Sequence, residues 1–267
     1  RDDVESRGLG DVYKRQTIDI GNTNIVIGCG KGEQWLFVER ISTQRNTTVL
    51  EYAMAFKTVL DLYNIDPSDI EGGIISSVVP SITNIVKQSA EKVIGSHVMV
   101  VGPGIKTGLS IVIDNPAQLG SDLVVDAVAG IHYYSLPLVV CDFGTATTMS
   151  IIDENKCYLG GMIMPGVNTS LDALTMKAAQ LMKIALEPPK KFIGKNTIDC
   201  MKSGIIYGTA ESIDGMIDRV EKVLGKKVSV VATGGVASSI VPYCRHEIVL
   251  DDELLLKGLN IIYEKNK

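Results

Sequence analysis

The same short grammar opens two distant stretches of the chain. Ile18-Asp19-Ile20-Gly21-Asn22-Thr23 and Cys141-Asp142-Phe143-Gly144-Thr145-Ala146-Thr147-Thr148 each read as a strand, an Asp-x-Gly turn, a small amide or hydroxyl residue and a second strand. Further strands and helices follow each in the same order. Strands are expected at Ile25–Cys29, Trp35–Ile41, Gly73–Val79 and Val98–Val101, with helices at Val49–Tyr63 and Ser81–Ile94. The second stretch continues with strands at Thr148–Asp153, Tyr158–Ile163, Val228–Ala232 and His246–Val249. Its helices are expected at Asn168–Leu181, Thr197–Leu224, Val236–Val241 and Asp252–Glu264. A repeat of about half the 267-residue chain is too long for a solenoid. It predicts an α/β protein of two tandem βββαβα halves, residues 17–130 and 131–267, whose Asp-x-Gly turns face across a cleft. A helix over Gln118–Ser135 forms the junction.

Composition removes several function classes. Lys and Arg number 26 against 31 Asp and Glu, a net charge of −5. That balance argues against a nucleic-acid partner, which would need clustered cations. No apolar run approaches the roughly 20 residues of a membrane span, so no membrane partner is expected. The five cysteines are scattered without a CxxC pair, and the three histidines lie far apart. Reduced thiols in a cytoplasmic protein, with no His-based metal site, are expected. Residues 1–16 differ from the rest, with four basic and four acidic side chains and no apolar segment. They read as a non-native or disordered leader ahead of a first strand at Ile18.

The repeated turns suggest phosphate chemistry. A glycine turn between strands presents backbone N–H groups without a side chain in the way, and such concave arrays bind phosphate oxygens. The hydroxyls of Thr23, Thr145, Thr147 and Thr148 add donors. An Asp beside such a turn suits a hydrated Mg²⁺ that bridges to the phosphates, a role that fits Asp19 and Asp142. A third glycine turn, Thr233-Gly234-Gly235, joins a strand to a helix whose N-terminus favours anions, and in this company suggests an adenosine site. Asp122, at the start of an apolar helix, has the chemistry of a base that accepts an alcohol proton during phosphoryl transfer. A carboxylate there is also an ordinary dipole partner.

Seven motifs then resemble one family in order. They are DIGNTN at Asp19–Asn24, GPGIKTGL at Gly102–Leu109, DNPAQLGSD at Asp114–Asp122, DFGTATT at Asp142–Thr148, the Gly160–Gly166 segment, GKNT at Gly194–Thr197, and TGG at Thr233–Gly235. From about Thr17 onward the chain resembles the type III pantothenate kinases. The resemblance implies two duplicated ribonuclease-H-like halves, the actin-like ATPase fold of the acetate and sugar kinases. It implies ATP-dependent phosphorylation of pantothenate in coenzyme A biosynthesis, by a cytoplasmic homodimer using Mg²⁺ and a monovalent cation, K⁺ or NH₄⁺. Residue by residue, it assigns ATP to Asp19, Ile20, Gly21, Asn22, Thr23, Asn24, Ile25 and Val26, and to Gly144, Thr145, Thr147, Gly234 and Gly235. Asp142 would hold the monovalent cation and Asp19 the Mg²⁺ through water. Asp122 would be the catalytic base. Gly120, Ser121, Leu123, Ile113 and Thr197 would line the substrate pocket with it.

Two positions depart from the family pattern. An Arg is expected where Leu123 stands, and a Tyr where Ile113 stands. Losing an Arg that pairs with the pantothenate carboxylate costs on the order of 1–3 kcal/mol unless another cation, such as Lys106 or Lys195, replaces it. A divergent paralogue acting on another small hydroxy acid, or a nucleotide-binding regulator without catalysis, are the alternatives.

Overall fold

The computed structural model describes residues 14–32 and 34–267. In chain order the elements are β1 (Lys14–Ile20), β2 (Asn24–Lys31), β3 (Gln34–Ser42), α1 (Val49–Leu62), β4 (Ile70–Ser77), α2 (Pro80–Ile94), β5 (Val98–Val100), β6 (Ser110–Ile111), α3 (Ser121–Tyr133), β7 (Leu138–Phe143), β8 (Ala146–Ile152), β9 (Cys157–Pro165), α4 (Val167–Lys177), α5 (Thr197–Leu224), β10 (Ser229–Thr233), α6 (Ala237–Ile240), β11 (Val249–Leu250) and α7 (Leu254–Asn266).

Two mixed sheets carry one strand order. The first runs β5-β4-β1-β2-β3 and the second β11-β10-β7-β8-β9, with β6 added at its edge. In each, the first three strands form an antiparallel meander. The two later strands join parallel to the first. The repeat read from the sequence is therefore a repeat of topology, that of two ribonuclease-H-like halves.

The chain divides into two compact units. Unit 1 comprises the chain up to Lys106 together with Gly120–Asp122 and Leu259–Lys267; unit 2 comprises Thr107–Leu119 and Leu123–Gly258. This differs from the division at residues 130 and 131 expected from the sequence. Helical periodicity marks a buried face but does not say which core each turn joins. In α3, Ser121 bonds to β4, whereas Ala127 and Ala129 are buried with Leu138 and Leu254. In α7, Leu254 joins that same cluster, whereas Asn260 and Glu264 hold Arg15.

The core of unit 1 lies between its sheet and two helices. Ile18 and Ile20 of β1 and Ile25 and Ile27 of β2 pack with Phe56 and Leu60 of α1 and Ile82 and Val86 of α2. The three- and four-residue spacing along each helix supplies that face. Thr48 and Glu51 open α1 with a capping box. Pro80 opens α2, and Gly95 ends it at φ 69°. In unit 2, Val139, Cys141 and Phe143 of β7 pack with Ile206, Ala210, Ile213 and Ile217 of α5.

Several expectations are corrected. β1 begins at Lys14, inside the stretch read as a leader, because it is paired on both sides. Arg15 lies opposite Gly30 and Gly72, and Gln16 opposite Cys29 and Gly73. Arg15 is buried and bonds Glu71 at 2.7 Å, Asn260 at 2.9 Å, and Glu264. The rest of that stretch lies outside the described residues. Helix α4 stops at Lys177, α6 is a single turn, and β11 has two residues. Among the described residues no helix is long and apolar enough to cross a membrane.

Candidate active site

In unit 1 the Asp19 turn is built by pairing. Asp19 lies opposite Val26 on β2 and Ser76 on β4. The turn closes with the Gly21 N–H donating to the Asn24 carbonyl at 3.0 Å. A Cβ on Gly21 would stand 3.0 Å from that carbonyl, so the turn favours glycine for space rather than for φ. Ile20 and Ile25 are fully buried in the core, so only their backbone can face a ligand; Asn22, Thr23 and Asn24 are exposed.

The backbone at Asp122 is held at the same end of the sheet through its neighbour Ser121. The Ser121 hydroxyl sits 3.0 Å from the Ser76 hydroxyl, accepts from the Ser77 N–H at 3.0 Å and donates to the Ser77 carbonyl at 3.0 Å. Ser76 is itself the register partner of Asp19. This serine clamp fixes the first turn of α3 at the ends of β1 and β4, so Gly120, Ser121, Asp122 and the Asp19 turn share one end of the unit 1 sheet. Sequence reasoning missed Ser76 and Ser77 because nothing local links them to Ser121.

In unit 2 three glycine turns converge on Asp142. The register places Asp142 opposite Thr148 on β8 and Thr233 on β10. The turn closes with the Gly144 N–H donating to the Ala146 carbonyl at 3.1 Å. A Cβ at Gly234 would lie 2.5 Å from Asp142 Oδ1 and 2.6 Å from the Phe143 nitrogen, and Gly234 has φ +97°. Only glycine fits there. A Cβ at Gly166 would collide with the carbonyls of Gly144 and Thr145. The Thr145 carbonyl also accepts from the Gly166 N–H at 3.2 Å and the Thr169 hydroxyl at 2.7 Å. The Thr147 and Thr148 hydroxyls are buried with no hydrogen-bond partner among the described residues. Thr148 shares the sheet face of Asp142, whereas Thr147 lies opposite Phe143 on the other face; open glycine backbone, the Thr148 hydroxyl and the carboxylate fit a cation-bridged phosphate group. The anion role expected for the helix after Gly235 does not hold, since α6 is a single turn.

The remaining substrate-pocket candidates lie in unit 2. Leu123 is half-buried in the first turn of α3. Ile113 is half-buried against an apolar cluster containing Leu138, Val140 and Tyr158. Neither supplies a charge. Thr197 opens α5 and lines an apolar cavity of about 330 Å³ with Leu174, Leu181, Cys200 and Met201. Lys106 and Lys195 are exposed.

Other reactive side chains have structural explanations. Burial pushes the Cys29 thiol up to about 11 and the Cys244 thiol up to about 12, which keeps both protonated and unreactive. Among the described residues one group of potential metal ligands, Asp218, Glu221 and His246, comes together in unit 2. Its members already have protein partners. His246 Nδ1 lies 2.7 Å from the buried Asp214, and Glu221 takes Lys227 at 2.7 Å and the Val228 N–H at 3.2 Å.

The family model of type III pantothenate kinases matches residues 17–219. The type III pantothenate kinase of an Exiguobacterium species is 44% identical over 250 residues, which cover 94% of this chain and 98% of that protein. The type III pantothenate kinase of a Geobacillus species is 45% identical over 249 residues, covering 93% and 96%. In fold, the chain is similar to (R)-2-hydroxyglutaryl-CoA dehydratase component A of Acidaminococcus fermentans, with a TM-score of 0.55 at 15% identity, covering 94% of this chain and 97% of that one. The strand order repeated in both sheets, the clamp beneath Asp122, the glycine turns around Asp142 and this extent of sequence identity agree: the chain belongs to the type III pantothenate kinase family.

Proposed function

We propose that the protein transfers the terminal phosphate of ATP to the primary hydroxyl of pantothenate, giving 4'-phosphopantothenate, the opening step of coenzyme A biosynthesis. The observation that supports this reading is the serine clamp, which holds the backbone next to Asp122 at the same end of the sheet as the Asp19 turn.

Asp122 accepts the hydroxyl proton as the alcohol oxygen bonds to the terminal phosphorus. The bond from that phosphorus to the bridging oxygen breaks, and ADP departs with the electron pair. The residues from Asp19 to Val26 offer backbone N–H groups and the Asn22 and Thr23 side chains to the phosphates. Gly144, Thr145 and Thr147 offer the same kinds of donor, and Gly234 and Gly235 leave room for the nucleoside. Mg²⁺ held through water by Asp19, and K⁺ or NH₄⁺ held by Asp142, would neutralise charge that builds on the phosphates. Gly120, Ser121, Leu123, Ile113 and Thr197 are the candidate pocket for the hydroxy acid. The protein works as a cytoplasmic homodimer in this reading.

The test is ADP release by the purified protein with ATP, Mg²⁺, K⁺ and pantothenate. Pantothenate-dependent release is expected. The Asp122→Asn variant should lose turnover by about 10²-fold or more while keeping ATP binding. Turnover in that variant at the wild-type rate refutes the role of Asp122. The apolar Leu123 and Ile113 favour a second reading, a different small hydroxy acid as acceptor. Release with such an acid and none with pantothenate would establish it.

A further inference from the structure

The segment joining β3 to α1 is strapped to the Asp19 turn by bonds that leave one cation at its surface. The Thr43 N–H donates to the Thr23 carbonyl at 2.9 Å, and the Thr43 hydroxyl donates to the Gly21 carbonyl at 2.7 Å. Both groups of Gln44 are taken by one side chain: its N–H donates to the Tyr52 hydroxyl at 3.0 Å, and its carbonyl accepts from that hydroxyl at 2.9 Å. Tyr52 is buried in the unit 1 core, so the strap is tied to rigid structure at its middle. Thr48 then starts α1 with its capping box. Between these anchors stands Arg45, exposed, with Nη2 donating to Asn22 Oδ1 at 3.3 Å. Among the described residues no carboxylate lies within ion-pair distance of its guanidinium.

We propose that Arg45 binds the terminal phosphates of ATP at the Asp19 turn. This deepens the kinase reading and rests on that turn being a phosphate site. A guanidinium offers five donors in a planar fork that matches two phosphate oxygens at once. Its bond to the neutral Asn22 amide uses one donor and fixes the approach of the rest. The turn itself supplies only neutral N–H groups beside the Asp19 carboxylate, which would repel a polyphosphate. A cation at the rim offsets that repulsion where the negative charge of the nucleotide is densest. Asn22, on this view, orients the guanidinium. Nothing in the local sequence marks Arg45, because the strap that holds it depends on Tyr52 and on sheet register.

The test is equilibrium binding of a non-hydrolysable ATP analogue, and of AMP, to the full chain and to its R45Q and R45K variants, with steady-state constants for both substrates. Wild-type protein should bind the analogue. R45Q should weaken it on the order of 10–100-fold, leave AMP binding and the KM for pantothenate within about twofold, and melt like the wild type because Arg45 is exposed. R45K should recover part of the loss, as a point charge without the fork. A T43V variant, which loses the hydroxyl bond to the Gly21 carbonyl but keeps the other anchors of the strap, should weaken the analogue less than R45Q. Equal affinity of R45Q and wild type for the analogue overturns the proposal and leaves the kinase reading intact. A rise in the KM for pantothenate alone also overturns it, and assigns Arg45 to the carboxylate of the acceptor. A wild-type protein that binds no analogue overturns both readings.

Discussion

Replacing Gln16 by Met should make the protein more stable, although it removes a polar side chain from a strand. Gln16 lies in β1 with the parity of Ile18 and Ile20, so its side chain points into the unit 1 core. It is fully buried, and neither its amide nitrogen nor its amide oxygen has a hydrogen-bond partner among the described residues. Its strand partners, Cys29 and Gly73, bring no polar side chain to that face except a thiol. A buried amide left unpaired costs about 1–3 kcal/mol, and Met has a similar unbranched reach with no such demand. The expected gain is therefore about 1–3 kcal/mol, or roughly 2–12 °C in Tm for a chain of this size. The single tryptophan, Trp35, lies in β3 of the same unit, so its fluorescence reports this unit during urea unfolding. A midpoint unchanged or lowered in the Met variant, with the slope unchanged, would refute the reasoning and show that the amide is satisfied in solution.

Three further outcomes are expected. Gly234→Ala should cost about 1–3 kcal/mol from the left-handed φ alone, and the Cβ clash with Asp142 should weaken ATP as well; calorimetric melting and nucleotide titration would check both, and an unperturbed variant would mean the turn is not packed on Asp142. Asp214 has a lowered pKa: burial acts to raise it, and is outweighed by the Arg245 N–H, the His246 ring and the His246 N–H. Its stabilisation is therefore complete above the unfolded-state value, near 3.9, and is lost as pH falls through the lower folded-state value. Urea unfolding between pH 2 and 5 should show less acid loss in Asp214→Asn, which starts from a lower stability at pH 7. Leu123→Arg should lower the KM for pantothenate on the order of tenfold if no other cation meets the carboxylate, and an unchanged KM would mean that one already does.

Short motifs are easier to read in the sequence than element boundaries. Asp19, Asp122 and Asp142 could be singled out because each sits in a short motif whose chemistry is local. The repeat of Asp-x-Gly turns also predicts two βββαβα halves, and both sheets begin with the expected antiparallel meander. What stayed hidden was long-range. Strand β1 gains Lys14–Gln16 from neighbours on either side, and charged residues give no apolar signal there. The Ser121 clamp joins residues 44 apart, and the Arg45 strap is held by Tyr52 on a different element. The division between units follows which core each helical turn enters, and α3 and α7 each enter two.

That division has a consequence for synthesis. Unit 1 starts first but draws on Gly120–Asp122 and Leu259–Lys267. At roughly 5–20 residues per second, the ribosome reaches Leu259 about 8–30 s after it has passed Lys106. In that interval Arg15 has Glu71 but lacks Asn260 and Glu264. The nascent unit thus holds the Arg15 guanidinium with one of its three side-chain partners, while unit 2 is still being made. A chain cut short in α7 would keep every proposed ATP-turn residue yet lose the Asn260 and Glu264 contacts that hold Arg15 in the sheet bearing the Asp19 turn.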